Sequence, residues 1–347
     1  MAGDHPLSET VNGVQWSYLV QEESSSAMLV GLCNPDTGQI EAVVPTNTAG
    51  VLTIPSMLGG YLVTEIGQHA FLRCAELTQV NIPSGVVSIG EGAFAYCSGL
   101  AEVRMSDGVA DIGKQAFADC VGLERVTIPD SVTNVGEYAF NHCIRLTTVA
   151  IPSGVTSIAK GLFNRCSGLQ NVEMPNGVTN IGYLAFSGCH SLSGVTIPGS
   201  VRSIENSAFS FCSGLECVTI PDSVTNIGED AFAGCGLLAR VEIPDSVSYI
   251  GAGAFRGCDG LVEVVLPFVG AQRGNIGTSG TLFGWIFDGR WDVESAWMQQ
   301  DHIPPLLEHV TVTGETRIEQ RAFYGCSGLT SMTIPESVTR PVDKPWR

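Results

Sequence analysis

Twelve cysteines in 347 residues could do chemistry as disulfides, zinc ligands or reactive thiols. Ten of them recur at one position of a repeated unit, from Cys74 to Cys326. Equivalent side chains of stacked units point the same way, whereas a disulfide needs Cβ atoms that converge to about 3.8 Å. No pair has the Cys-x-x-Cys spacing of a zinc site. We therefore expect a row of buried, reduced thiols, which we call the thiol row, and one exposed thiol at Cys217.

Two other groups of residues imitate functional motifs. Residues 108–114, which read GVADIGK, imitate a phosphate-binding loop, but Gln115 stands where a Ser or Thr would follow the lysine. Four acidic residues could group around calcium, but their spacing fits no calcium-binding loop; they are Asp288, Asp292, Glu294 and Asp301. The six histidines lack metal-ligand spacing, and no catalytic triad motif is present. We expect no enzymatic activity, no metal and no cofactor.

A repeat of 23 residues sets the positions of these groups. It is marked by the phenylalanines Phe71, Phe94, Phe117, Phe140, Phe163, Phe186, Phe209, Phe232 and Phe255. After each Phe, a Cys follows at three residues, a Leu at six, and an aliphatic pair at nine and eleven, usually with Pro next. A fixed period in this range indicates a solenoid, in which stacked coils bury a shared core.

Each part of the unit predicts a conformation. In residues 123–128, Val126 and Ile128 alternate with polar residues, which predicts a strand with one buried face. Pro129 ends this strand because it has no N–H to donate. The Phe, Cys and Leu lie three residues apart and predict one or two turns of α-helix or 3₁₀ helix. We expect the strands to form one parallel sheet, with coils about 4.8 Å apart.

The repeated string resembles the BspA-like leucine-rich repeats of bacterial and protist surface proteins. One copy runs VTNIGEDAFAGC over residues 224–235 and continues with Leu238, Val241, Ile243 and Pro244. The resemblance covers residues 51–267 and 307–339. It implies an α/β repeat solenoid, a right-handed leucine-rich-repeat superhelix with a parallel β-sheet face and short helices or 3₁₀ turns on the other side. It also implies adhesion to host or matrix proteins or to other cells.

The presence or absence of the repeat divides the chain into four regions. Residues 1–50 lack it and predict a β-rich N-terminal cap. Residues 51–267 are the leucine-rich repeats, and residues 307–347 resume the repeat and end in a tail. Between them, residues 268–306 are rich in glycine and aromatic residues, and we expect this interrupting segment to leave the solenoid as a loop-rich excursion.

Candidate binding residues lie in two places. The interrupting segment holds three of the five tryptophans, which either pack onto the coils or form an exposed aromatic platform; its candidates are Trp285, Trp291, Trp297 and Phe287. The second place is the sheet, where residues eight and ten positions after each Phe should point outward. This set is polar and mixed in charge, and its candidates are Arg104, Arg125, Arg240, Glu173 and Glu242.

The charge of the chain limits its partners. A net charge of −18 repels phosphate backbones and anionic lipids, so we expect no nucleic-acid partner. No run of 18 apolar residues exists, which predicts no membrane insertion, and the first residues do not read as a signal peptide. We expect a binding or adhesion protein, extracellular or on the cell surface, that recognises a protein or glycan. A cytoplasmic interaction scaffold and an enzyme with its site in residues 268–306 are the alternatives.

Overall fold

A computed structural model describes residues 6–33, 40–274, 282–288, 299, 301–315, 317–318, 321–336 and 338. The chain divides into two compact units, Met1–Pro175 and Asn176–Arg347. Both consist of stacked coils, and one coil is one copy of the repeat. In the part of the chain that is described, no helix is long and apolar enough to cross a membrane.

The first unit is built from strands alone where it is described. They are β1 (Leu7–Val11), β2 (Val14–Gln21), β3 (Ser26–Leu29), β4 (Leu32–Cys33), β5 (Ile40–Glu41), β6 (Gly50–Thr53), β7 (Met57–Leu58), β8 (Tyr61–Ile66), β9 (Leu77–Ile82), β10 (Ser88–Ile89), β11 (Glu102–Met105), β12 (Asp111–Ile112), β13 (Arg125–Thr127), β14 (Asn134–Val135), β15 (Thr148–Ala150), β16 (Ser157–Ile158) and β17 (Asn171–Glu173).

The second unit continues the same pattern. Its strands are β18 (Asn180–Ile181), β19 (Gly194–Thr196), β20 (Ser203–Ile204), β21 (Cys217–Thr219), β22 (Asn226–Ile227), β23 (Arg240–Glu242), β24 (Tyr249–Ile250), β25 (Glu263–Leu266), β26 (His309–Val312) and β27 (Ser331–Thr333). A single turn of 3₁₀ helix spans Phe283–Ile286.

Two parallel ladders of strands join the coils of each unit, where the sequence predicted one sheet. In the first unit, the longer strands pair in the order β6, β9, β11, β13, with Val103 opposite Val80 and Val126. The short strands β8, β10, β12 and β14 form the second ladder, with Ile89 opposite Ile66. In the second unit, β23, β25, β26 and β27 form a long-strand ladder, and β18, β20, β22 and β24 form a short-strand ladder.

The segment around each repeated Phe is a series of turns, so the predicted α-helix or 3₁₀ helix is wrong for the regular coils that the structure describes. The residues two before and two after Phe117 have positive φ, 55° at Gln115 and 58° at Asp119. A left-handed residue interrupts helical hydrogen bonding. The N–H groups of Phe117 and Asp119 instead donate to Ala139 and Asn141 of the next coil, both at 2.8 Å. This segment therefore also links neighbouring coils.

Stacked phenylalanine rings form the centre of the core in each unit. Ring centroids are 4.8 Å apart for Phe71 and Phe94, and 5.2 Å apart for Phe94 and Phe117, with nearly parallel planes. In the second unit, the rings of Phe209 and Phe232 are 5.3 Å apart. These distances are close to the spacing of parallel strands, about 4.8 Å, so one ring per coil fills the stack.

The N-terminal strands close one end of the first unit. Strands β1, β2 and β3 pair antiparallel, and β3 continues in parallel onto β8 of the first coil. Trp16 is buried, and its ring meets the ring of Phe71 edge-on at 6.2 Å. This arrangement covers the first ring of the phenylalanine stack.

The described parts of the interrupting segment stay within the second unit, although the sequence predicted that they leave it. Strand β25 pairs directly with β26, so Val264 lies opposite Val310, 46 residues later, whereas Val241 lies opposite Val264 after the usual 23. The Phe283 N–H donates to the Ala322 carbonyl at 2.9 Å, as repeated phenylalanines do with the next coil. The described strands β25 and β26 are therefore neighbours in the ladder, although twice the usual number of residues separates Val264 from Val310.

Candidate binding surface

The outward side chains of the longer strands form an exposed face in each unit, which we call the strand face. In β13, Arg125 and Thr127 are exposed on either side of the buried Val126, and this alternation recurs along both units. None of the residues eight and ten positions after the phenylalanines of the regular coils from 71 to 232 is buried. The strand register predicted from the sequence is thus confirmed.

In the first unit, the strand face carries charges of both signs, at Glu102, Arg104, Arg125 and Glu173. The guanidinium Nε of Arg104 lies 3.0 Å from the carboxylate of Glu102 on the same strand. Arg125 is exposed on the next strand of the ladder, opposite Glu102. A shallow depression of about 260 Å³ includes Glu173. It is otherwise lined by Val126, Thr127, Ile128, Thr148, Val149, Ala150 and Asn171.

In the second unit, Arg240 lies between two carboxylates of the strand face. Its guanidinium is 3.4 Å from Glu242 and 3.5 Å from Glu263. A larger depression of about 490 Å³ contains Arg240, Glu242 and the exposed Cys217. Arg240 and Glu242 of β23 thus line one concave site together with Cys217 of the preceding coil.

The two aromatic candidates of the interrupting segment that the structure describes, Phe287 and Trp285, do not form an exposed platform. Phe287 is completely buried and packs edge-on against Phe283 at 5.3 Å, so its prediction as a binding residue is wrong. Trp285 is half-buried, and its indole N–H donates to the Ile250 carbonyl at 2.8 Å. Trp291 and Trp297 lie outside the described residues.

An ion-pair group around the buried Asp288 links this segment to the preceding coil. The carboxylate of Asp288 is fully buried and lies 3.6 Å from Nε of Arg256, which also contacts Asp230 at 3.2 Å. Asp288 was a calcium candidate, and here it faces a guanidinium; Asp292 and Glu294 lie outside the described residues. Among the residues that are described, no three His, Cys, Asp or Glu side chains are placed to hold a metal ion.

The cysteines of the thiol row are buried and form no disulfide bonds, as predicted from the sequence. The Cys97 thiol donates to the Phe71 carbonyl of the preceding coil at 3.1 Å, and the Cys120 thiol does the same with Phe94. Burial raises the pKa of the Cys74 thiol to about 12. The Cys74 thiol is therefore a poor nucleophile at neutral pH, because the thiolate is the reactive form.

Sequence reasoning missed two exposed leucines beside the strand face. The side chains of Leu237 and Leu306 are 58% and 57% exposed. The signal was available, because the position five residues after Phe is glycine in many other coils, such as Gly122 and Gly214.

Comparison with known proteins identifies the repeat. The model of the BspA type leucine-rich repeat region matches residues 64–193, 179–269 and 306–342, in six copies. The chain is similar to a leucine-rich repeat protein from Bacteroides ovatus, at 26% identity over 95% of this chain and 77% of that one, with a TM-score of 0.70. A leucine-rich cell surface protein from Faecalibacterium prausnitzii shows 27% identity over 96% of both chains, with a TM-score of 0.47. No curated protein matches the chain significantly.

Proposed function

Because this chain belongs to the family of BspA-type leucine-rich repeat regions, we propose that it is a non-enzymatic binding protein that recognises a protein or glycan through its strand face. The observation that carries this proposal is the strand face itself. Its side chains are exposed, polar and mixed in charge, and they include Arg104, Arg125, Glu173, Arg240 and Glu242.

The rigidity of the strand face supports a role in binding. Each long strand is held by its neighbours in the ladder, and the side chain between the two outward positions is buried. The strand backbone is already ordered before a ligand arrives, so the conformational cost of binding is limited to the rotamer freedom of the contacting side chains. The two depressions can each receive a side chain or a sugar ring.

The interrupting segment is a second candidate contact area. Trp285 keeps part of its ring at the surface while its indole N–H is fixed to Ile250. Trp291 and Trp297 remain predicted contributors to this area. Aromatic rings held in one orientation are favourable for contacts with proteins and sugars.

The family resemblance supports a location outside the cell or on its surface, with adhesion as the activity. The thiol row is compatible with an oxidising environment, because these thiols are buried and hydrogen-bonded within the coils. Labelling of intact and permeabilised cells with an antibody to the chain would test surface display. Labelling only after permeabilisation would favour an intracellular scaffold.

A test of the strand face compares charge reversals on two surfaces. The whole protein is applied to a glycan array and to immobilised matrix proteins, and bound protein is quantified. The double variant Arg104→Glu, Arg125→Glu should lose about tenfold or more of any binding found. The control Arg165→Glu, Arg202→Glu has the same net charge, but both substitutions lie at exposed positions outside the strand face. This control should bind normally. Equal losses in both variants, or no loss in either, would refute the proposal.

A further inference from the structure

An apolar strip borders the strand face of the second unit. It consists of Leu237, Ala239, Val262 and Leu306. Leu237 and Leu306 are more than half exposed, Val262 is 37% exposed, and Ala239 is also exposed. The equivalent positions of earlier coils are mainly glycine or polar residues, such as Gly122 and Glu124.

Backbone hydrogen bonds place the members of the apolar strip side by side. The Val262 N–H donates to the Ala239 carbonyl at 2.8 Å, and the Glu308 N–H donates to the Val262 carbonyl at 3.0 Å. These residues therefore belong to three consecutive coils. Leu237 and Leu306 come from the first and third of these coils, about 10 Å apart by strand spacing.

A gap separates the two leucines. Gly260 occupies the equivalent position of the middle coil, and a Cβ atom there would lie 2.4 Å from the Gly236 carbonyl oxygen. No side chain fits at this position, so the gap between Leu237 and Leu306 is a property of the coil. Its width suits one large apolar side chain from outside, and its floor is glycine backbone.

The charges around the apolar strip define what can approach it. Glu242, Glu263 and Glu308 are beside it, and the nearby cation Arg240 is already held by Glu242 and Glu263. The surroundings are therefore acidic, as is the whole chain at −18. A second copy of this chain and an anionic lipid surface would both be repelled, whereas a basic partner would be attracted.

We infer that the apolar strip docks a segment of a partner protein in which large apolar side chains are flanked by lysine or arginine. One apolar side chain fills the gap over Gly260, and the flanking cations meet Glu263 and Glu308. This inference rests on the proposed binding function and narrows the partner to a protein with a basic, apolar segment.

Short fluorescent peptides provide the probe, and their anisotropy is measured with the full chain. One peptide alternates leucine and lysine, a second serine and lysine, and a third leucine and glutamate. Only the leucine–lysine peptide should bind. The double variant Leu237→Ser, Leu306→Ser should weaken this binding about tenfold or more. The control Phe211→Ser removes a 61% exposed aromatic ring elsewhere in the unit and should leave binding unchanged.

The charge requirement is tested with Glu263→Gln, Glu308→Gln, which should also weaken the leucine–lysine peptide. Thermal melting verifies that each variant is folded. Equal binding of the serine–lysine or leucine–glutamate peptide, or equal losses in the leucine variant and the Phe211→Ser control, would overturn the inference. If array binding depends on Arg104 and Arg125 but the leucine variant leaves peptide binding intact, this inference fails and the proposed function stands.

Discussion

In the regular coils, a buried cysteine thiol completes the hydrogen bonding of a carbonyl that the turn leaves half-used. The donors are the thiols of Cys97, Cys120, Cys143, Cys166, Cys212, Cys235 and Cys258. The carbonyl of Phe94 accepts the Cys97 N–H at 3.3 Å within its own coil, and it accepts the Cys120 thiol at 3.1 Å from the next coil. A carbonyl oxygen has two lone pairs, and both are used here. A cysteine at this position thus combines a small apolar volume with a weak donor.

The raised thiol pKa values predict that the protein loses stability in alkaline solution. Burial raises the pKa of Cys74 from 9.0 to about 12 and holds that of Cys143 well above 9.0. The unfolded chain therefore ionises first at these positions. The contribution of these thiols to the free energy of unfolding is present in full below pH 9 and is lost as the pH rises through 9 toward 12. For Cys74 the decline is about 1 kcal/mol at pH 10.

Urea unfolding under reducing conditions at pH 8 and pH 10 measures this decline. The variant Cys143→Ala should be less stable at pH 8, because it loses a buried donor and leaves a small cavity. Its stability should nevertheless fall less between the two pH values than that of the parent. Identical declines in both proteins would show that the thiol row does not control alkaline stability.

The burial or exposure of a residue could be predicted from the sequence wherever that residue occupies a defined position in the repeat. The burial of the thiol row and the exposure of Cys217 follow from their positions in the unit. The environment of Phe287 could not be predicted, because residues 283–287 read FGWIF and carry no period. Such a string fits a buried cluster and an exposed aromatic surface equally well.

The turn around each Phe is the element that sequence reasoning described least well. A spacing of three between apolar residues is common to α-helix, 3₁₀ helix and consecutive turns, so it cannot separate them. The left-handed residues decide the outcome, and they include His69, Tyr96, Gln115 and Arg165 as well as glycines. No shared residue type marks these positions, and their conformation follows from hydrogen bonds to the next coil.

A β-branched residue at a left-handed position should destabilise this turn. Gln115 is exposed with φ of 55°, and its substitution removes little packing. We expect Gln115→Val to lower the free energy of unfolding by about 1–2 kcal/mol, because valine is branched at Cβ and its second γ-carbon crowds the backbone in this conformation. The matched variant Gln115→Gly should be as stable as the parent or slightly more so. Equal stabilities of the two variants in urea unfolding would contradict the left-handed geometry.

At the scale of the whole molecule, one coil is the unit that can be removed. Each coil contacts its neighbours through the same ladders and the same stacked ring, so removal of 23 residues restores equivalent contacts. Deletion of residues 118–140 should give a protein that still unfolds cooperatively. Its free energy of unfolding should depend less steeply on urea concentration, because unfolding exposes less surface. Deletion of residues 121–140 leaves the strands out of register and should abolish folding. Circular dichroism during urea unfolding distinguishes these outcomes, and similar behaviour of both deletions would refute the coil as the unit.

The pairing of Val264 with Val310 across 46 residues has a consequence for how such a gene can change. The strands on both sides keep their register, although the connection between them has doubled in length. An insertion in the gene between these two strands therefore lengthens one connection of the protein and leaves the pairing of the flanking strands unchanged. Recombination can therefore exchange the sequence of this one connection while the flanking strands keep their pairing, which makes it a place where related sequences can diverge without loss of the fold.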